Sequence, residues 1–132
     1  MAYLLDTHAF LWFLNGSDEL SISARQAIED NTKLKYISIV SFWEISIKLS
    51  LKKLELAISF KDLLTQAIKN GFEILPLTFD HSAGLINLEF YHKDPFDRMI
   101  ISQAIAENLQ IISKDEKFGL YPVSTIWDKS LS

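Results

Sequence analysis

Four carboxylates adjoin the predicted strands and helices at positions that a single site could share. They are Asp6, Glu44, Asp97 and Asp115. Carboxylate oxygens are the ligands that Mg²⁺ and Mn²⁺ prefer in proteins. A cation held in this way can activate water for attack on a phosphodiester bond. Whether these acids form such a site depends on whether the fold brings them together.

Each acid also has an ordinary structural explanation. Glu44 is three residues after Ser41, which is the spacing of a capping box, and Asp97 is three residues after Asp94. A carboxylate in the first turn of a helix stabilises that helix by roughly 0.3–1 kcal/mol. The two remaining acids could end a strand and cap a turn. Considered one at a time, the four acids do not require a metal ion.

The hydrophobic pattern predicts strands that alternate with helices along the chain. Short apolar or β-branched runs predict strands at 2–5, 35–40, 72–75, 110–112 and 123–127. Amphipathic stretches with cap residues predict a helical turn at 9–14 and helices at 23–30, 41–51, 60–69, 78–88 and from 95. This order indicates a single α/β domain over residues 1–132, with a mostly parallel sheet of four to five short strands flanked by helices.

The predicted topology would gather the acids at one edge of the sheet. Right-handed crossovers place the carboxyl ends of parallel strands together, and ligands bind beyond that edge. Asp6 and Asp115 follow predicted strands, while Glu44 and Asp97 stand near helix starts at the same edge. Two carboxylates about 5 Å apart repel by roughly 3 kcal/mol at a dielectric constant of about 20. We therefore expect such a cluster to hold a divalent cation.

Composition limits the other classes of function. The chain has no cysteine, which excludes disulfides and thiolate metal sites. A net charge of −4 is not typical of a general nucleic-acid binder, although a cation bound by acids inverts the local field. No apolar run approaches the roughly 18 residues of a membrane span, and no secretory signal is evident. We expect a cytoplasmic protein with no membrane partner.

Five further polar residues are secondary candidates. Asp94 precedes a proline and is expected to be a helix N-cap. Thr7 and Ser113 could bond a carboxylate or a phosphate, or make ordinary turn hydrogen bonds. Lys48 could pair with the acid one helical turn earlier or lean towards a phosphate group. Arg98 could contact phosphate or form a surface ion pair.

The histidines do not predict a metal site. His81 and His92 have no ligand spacing with each other, so a zinc site is not expected.

Four segments occur in a characteristic order along nearly the whole chain. They are LLDTHAFLW, SFWEISIK, DPFDRMIISQA and IISKDEKF. Together they resemble the PIN-domain nucleases, and most closely the VapC-like toxins of prokaryotic type II toxin–antitoxin pairs. The acidic positions of the family match Asp6, Glu44, Asp97 and Asp115. One departure is Lys52-Lys53, where this branch often has Gly-Lys.

The resemblance implies an Mg²⁺- or Mn²⁺-dependent endoribonuclease with a small antitoxin partner and a homodimeric toxin. Its four acids would hold the cation, and a water activated by that cation would attack phosphorus in RNA.

Two alternatives remain open from the sequence. A catalytically silent PIN-fold interaction module need not retain four mutually repelling acids. A different metal-dependent phosphoesterase, such as a haloacid-dehalogenase-like phosphatase, would need a second aspartate two residues after the first, and His8 stands there.

Overall fold

The strands of the protein form one parallel sheet. The computed structural model describes residues 2–128, so the two ends of the predicted domain, residue 1 and residues 129–132, lie outside the described range. The strands are β1 (Tyr3–Leu5), β2 (Lys35–Ser38), β3 (Glu73–Leu75), β4 (Gln110–Ile112) and β5 (Thr125–Ile126). Their order is β3-β2-β1-β4-β5, and every pairing is parallel. The predicted α/β class and parallel sheet are confirmed.

Helices connect these strands. They are α1 (Thr7–Leu14), α2 (Ile22–Glu29), α3 (Ile39–Ser50), α4 (Phe60–Lys69), α5 (Phe79–Ala83) and α6 (Pro95–Glu107), with a 3₁₀ helix at Glu116–Leu120. The first is a helix of eight residues and not the single turn that the sequence suggested. Among residues 2–128 no helix combines the length and apolar character that a membrane crossing requires.

Alternating residues of the central strands enter two separate hydrophobic layers. Tyr3 and Leu5 pack with Phe10 on one face of the sheet. Leu4 packs with Ile101 on the other face. This is the two-residue period of a strand buried on both sides. Because helices cover both faces, polar side chains are left to collect at the ends of the strands.

The second strand ends earlier than the sequence indicated. β2 stops at Ser38, and α3 begins at Ile39. The Ser38 hydroxyl accepts a hydrogen bond from the Val40 N–H at 3.0 Å and is therefore the N-cap. The capping box predicted from Ser41 and Glu44 is wrong. Glu44 is the sixth residue of α3, beyond the free N–H groups of the first turn.

The helix predicted over 78–88 is shorter in the structure. α5 ends before Gly84, and the chain continues through tighter turns in which Leu85 N–H bonds Ser82 and Ile86 N–H bonds Ala83. Gly84 lies against α6, where an added Cβ would be 2.5 Å from the Ser102 hydroxyl oxygen. This close approach between the two helices requires a residue without a side chain.

The end of α3 has a left-handed residue that is not glycine. Lys52 has a φ of 57°. Its N–H bonds the carbonyl of Leu49 at 3.1 Å, and the Lys53 N–H bonds that of Lys48 at 2.8 Å. This is a Schellman motif, whose left-handed position favours glycine. The Lys52-Lys53 departure from the family pattern falls at this position.

Candidate metal centre

The four predicted acids gather at the carboxyl edge of the sheet. Asp6 directly follows β1, Asp115 lies three residues after β4, Glu44 is on α3, and Asp97 is in the first turn of α6. Burial raises the pKa of Asp97 from 3.8 to about 7, and the negative charges of Asp94 and the other three acids add to this effect. The expected gathering of carboxylates is therefore observed, while their role as ligands stays a prediction.

Asp6 is fixed at the base of this cluster. Its Oδ1 accepts a hydrogen bond from the Ala9 N–H at 2.9 Å, which caps α1. Its Oδ2 accepts one from the Ser113 hydroxyl at 2.5 Å, and Ser113 in turn accepts from the Asp115 N–H at 3.0 Å. Burial raises the pKa of Asp6 despite these bonds. Ser113 thus links two of the acids, and the hydrogen bond to a carboxylate that was considered for it is observed.

Glu44 is buried and held through both oxygens. Oε1 accepts a hydrogen bond from the Thr7 hydroxyl at 2.7 Å. Oε2 accepts one from the Lys48 ammonium at 2.6 Å. The Ser41 hydroxyl lies 2.9 Å from that of Thr7, so the serine once expected to cap a helix supports the site from the same face of α3. The predicted ion pair of Lys48 is confirmed.

Asp94 and Asp97 have different roles at the start of α6. One oxygen of Asp94 accepts hydrogen bonds from the N–H groups of Phe96 at 2.8 Å and Asp97 at 3.1 Å. The prediction that Asp94 is the N-cap is confirmed. Within residues 2–128, no hydrogen bond reaches the carboxylate of Asp97. Its oxygens are therefore available to a ligand.

Arg98 points away from the acids. Its buried guanidinium donates to the carbonyls of Glu89 at 2.8 Å and Leu88 at 3.2 Å, and it lies 3.8 Å from the centre of the Phe90 ring. Of the two roles considered for Arg98, the surface ion pair is not formed among residues 2–128, because its donors bond backbone carbonyls, and contact with phosphate stays a prediction. Arg98 follows Asp97, and consecutive side chains of a helix point about 100° apart. Arg98 therefore faces the irregular segment before α6, whose backbone carbonyls need hydrogen-bond donors.

The spacing of the histidines did not reveal His92. Its Nε2 lies 2.7 Å from Asp115 Oδ2. His92, Asp97 and Asp115 each offer one possible ligand atom, and these atoms all lie within 4.8 Å of one another. The sequence pattern bore only on a zinc site shared with His81 and did not place His92 beside these two acids. One signal in the sequence could have indicated this position, because His92 lies only three residues before Pro95, where α6 begins.

The donor set fits a hard divalent cation. Oxygen ligands dominate it, and one carboxylate, Asp97, has no competing hydrogen bond among residues 2–128. Burial first, and then the charges of the neighbouring acids, raise the pKa of Asp97, and a bound cation would favour its ionised form. Lys48 is the cation that the structure places on Glu44, and one ammonium does not neutralise four carboxylates. These residues therefore suit Mg²⁺ or Mn²⁺.

Comparison with known proteins shows the family and the fold of the chain. The chain is 28% identical over 129 residues to Ribonuclease VapC22 of Mycobacterium tuberculosis, covering 94% of this chain and 97% of that protein. The fold is similar to VapBC2 of Rickettsia felis bound to a promoter DNA fragment (TM-score 0.72, 20% identity, 97% of this chain and 100% of that one). A toxin–antitoxin complex from Klebsiella pneumoniae is also similar (TM-score 0.66, 19% identity, 96% and 97%). The sequence model of the PIN domain matches residues 3–123, and the chain therefore belongs to the PIN-domain family.

Proposed function

We propose that this protein is a metal-dependent endoribonuclease and the toxin of a type II toxin–antitoxin pair. The observation that carries the proposal is the cluster of carboxylates around Asp97, whose pKa is raised to about 7. A PIN domain with this cluster is similar to a protein named a ribonuclease. Hydrolysis by an activated water needs no nucleophilic side chain, and the chain has no cysteine.

The acids would bind the cation, and Asp97 offers carboxylate oxygens that accept no hydrogen bond among residues 2–128. A bound Mg²⁺ or Mn²⁺ would neutralise charge on the scissile phosphate and lower the pKa of the attacking water. Ser113 orients Asp6, and Thr7 orients Glu44. Each of these hydrogen bonds uses one lone pair of a carboxylate oxygen, and the remaining lone pairs can bind a cation.

Lys48 would help to bind the RNA. Its side chain is 38% exposed and uses one of its three ammonium donors on Glu44. The other donors are in reach of solvent and can bond an RNA phosphate that enters beside the acids.

RNA cleavage by purified variants tests the proposal. We expect the wild type to cut single-stranded RNA with Mg²⁺ or Mn²⁺ and not with a chelator, and Asp97→Asn to be inactive. The matched control is Glu107→Gln, because Glu107 ends the same helix, about 15 Å along its axis from Asp97. Undiminished cleavage by pure Asp97→Asn protein would contradict the proposal.

Growth of an expressing host tests the toxin assignment. We expect expression of the wild type to arrest growth and Asp6→Ala to relieve the arrest, because Asp6 is one of the four acids of the cluster. Arrest of equal strength by both proteins would contradict a role for these acids in toxicity.

We further propose a small antitoxin protein and a second copy of the chain as partners. Large apolar side chains are more than half exposed, and exposed apolar patches mark interaction sites. They include Trp43, Phe79, Ile86 and Phe90. Light scattering of the purified protein should give the mass of a dimer. A monomer at all concentrations would contradict this part of the proposal.

A further inference from the structure

Asp115 is the end of a chain of hydrogen bonds through two buried side chains. Its Oδ2 lies 2.7 Å from His92 Nε2, and His92 Nδ1 lies 3.1 Å from the Tyr121 hydroxyl oxygen. The backbone N–H of His92 also donates to that hydroxyl at 2.9 Å. His92 and Tyr121 are only 6% and 4% exposed. Water therefore has little access to the His92–Tyr121 bonds, while the Asp115 side chain at the end of the chain is 40% exposed.

The protons in this chain can be assigned from its geometry. The Tyr121 oxygen already accepts the backbone N–H of His92, so its own proton is available for Nδ1. The ring proton of a neutral His92 must then be on Nε2, where it is donated to Asp115. The opposite tautomer would leave two acceptors, Nε2 and the carboxylate, facing each other at 2.7 Å. Such an arrangement is unfavourable in a buried site.

Packing fixes the plane of the imidazole, and the hydrogen bonds fix which way round the ring lies in that plane. The His92 ring stacks on Tyr121 with centroids 5.6 Å apart and planes at 19°. The Phe118 ring lies 4.7 Å away. A ring flip would break both polar contacts of the imidazole while leaving this packing in place. The hydrogen bonds therefore select one of the two ring orientations.

We propose that Tyr121 and His92 form a relay that positions Asp115 for metal binding and excludes the imidazole from the ligand set. This inference rests on the metal-dependent function proposed above and adds to it a cause of metal selectivity. Nε2 lies 2.7 Å from Asp115 Oδ2, and a ring nitrogen of His92 lies within 4.8 Å of an oxygen of Asp97 and one of Asp115, close to where a metal ion would be. Nε2 has no free lone pair for a metal ion while it carries the ring proton, and moving that proton to Nδ1 would break the hydrogen bond that the Tyr121 hydroxyl donates.

The relay has a chemical consequence for the choice of cation. Oxygen ligands suit Mg²⁺ and Mn²⁺, whereas an imidazole nitrogen favours Zn²⁺ and Ni²⁺. Asp115 is held at both oxygens, because Oδ1 accepts the Lys117 N–H at 2.9 Å while Oδ2 accepts His92. Partners of this kind orient a ligating group, and their loss costs about 10- to 100-fold in metal affinity.

The tautomer of His92 can be measured without any metal. Long-range ¹H–¹⁵N correlation spectra of the metal-free protein should place the ring proton on Nε2 in the wild type. Exposed His8 provides the reference for an imidazole in exchange with solvent. Tyr121→Phe keeps the stacking ring but donates no proton to Nδ1, so the fraction of the Nδ1-protonated form should be higher than in the wild type. A proton on Nδ1 of the wild type would overturn the relay and leave the proposed nuclease function untouched.

Calorimetric titration with Mn²⁺ and Zn²⁺ tests the selectivity. We expect His92→Leu to lose about 10- to 100-fold in Mn²⁺ affinity and His92→Gln to lose less, because its amide N–H can replace Nε2–H. Tyr121→Phe should shift the ratio of affinities towards Zn²⁺, and thermal unfolding verifies that each variant folds. An unchanged Zn²⁺-to-Mn²⁺ ratio in Tyr121→Phe, or unchanged Mn²⁺ affinity in His92→Leu, would overturn the relay. A wild type that binds no cation would contradict the proposed function itself.

Discussion

Replacing Asp97 with asparagine is expected to stabilise the metal-free protein while it removes activity. Burial and the charges of four neighbouring carboxylates raise the pKa of Asp97 from 3.8 to about 7. At about 1.4 kcal/mol per pKa unit, this rise corresponds to roughly 4 kcal/mol of unfavourable free energy for the ionised form. The side chain is partly exposed, and solvent screening reduces the expected effect to about 2 kcal/mol. Asparagine keeps the shape of aspartate and removes the charge.

The gain in stability should depend on pH with a defined sign. Below the ordinary pKa of 3.8 the carboxyl group is protonated in both the folded and the unfolded state, so the two proteins should be equally stable. As pH rises to about 7, the folded wild type retains a proton that the unfolded chain has lost. The wild type therefore loses stability over this range, and the advantage of Asp97→Asn reaches its full size above it.

Denaturant unfolding in the presence of a chelator, at about pH 4 and about pH 8, measures this difference. Glu107→Gln, at the opposite end of α6, controls for the loss of one negative charge anywhere on the helix. Added Mg²⁺ or Mn²⁺ should then raise the melting temperature of the wild type and have much less effect on Asp97→Asn. Equal shifts in both proteins would mean that the cation binds elsewhere. An Asp97→Asn protein no more stable than wild type at the higher pH would refute the inferred crowding of carboxylates.

Three further predictions concern helix ends and are checked by denaturant unfolding. Asp94→Ala should lower the free energy of unfolding by about 1 kcal/mol, whereas Asp94→Asn should lower it little and retain activity, because asparagine also caps helices. Strong loss of activity in Asp94→Asn would make Asp94 part of the site. Lys52→Gly should raise the free energy of unfolding by about 0.5–1 kcal/mol, because glycine adopts the φ of 57° without strain. Asn108→Gly should raise it less, because asparagine tolerates its φ of 55°, and equal gains would contradict this reasoning. Gly84→Ala should lower the free energy of unfolding by about 1–3 kcal/mol, because the Cβ of the alanine would lie 2.5 Å from the Ser102 hydroxyl oxygen. Adding Ser102→Ala should restore part of that loss, and no restoration would locate the strain elsewhere.

Some helix boundaries were predictable because their signals are local. Asp94 and Pro95 start α6, and Asn70 and Gly71 end α4 in the structure as in the sequence pattern. In each case a cap residue and its neighbours within four positions contain all the atoms that make the boundary. No distant partner was needed to locate them.

The start of α3 was not predictable in this way. Ser38 and Ser41 are both serines in an apolar sequence, and each could cap a helix. The Ser41 hydroxyl instead contacts Thr7, 34 positions away in sequence, and that of Ser38 donates to Gln103 at 2.5 Å. Contacts across the fold decided which serine became the cap.

The sequence by itself determined the class of the fold and the edge at which the acids lie. Strand ends follow from the apolar pattern, and parallel topology places those ends together whatever the detailed packing. Only the tertiary structure decided the contacts of Arg98, His92 and Tyr121. Their partners are set by the path of the segment before α6 and by side-chain rotamers. Such contacts depend on long-range packing, which no local sequence pattern records.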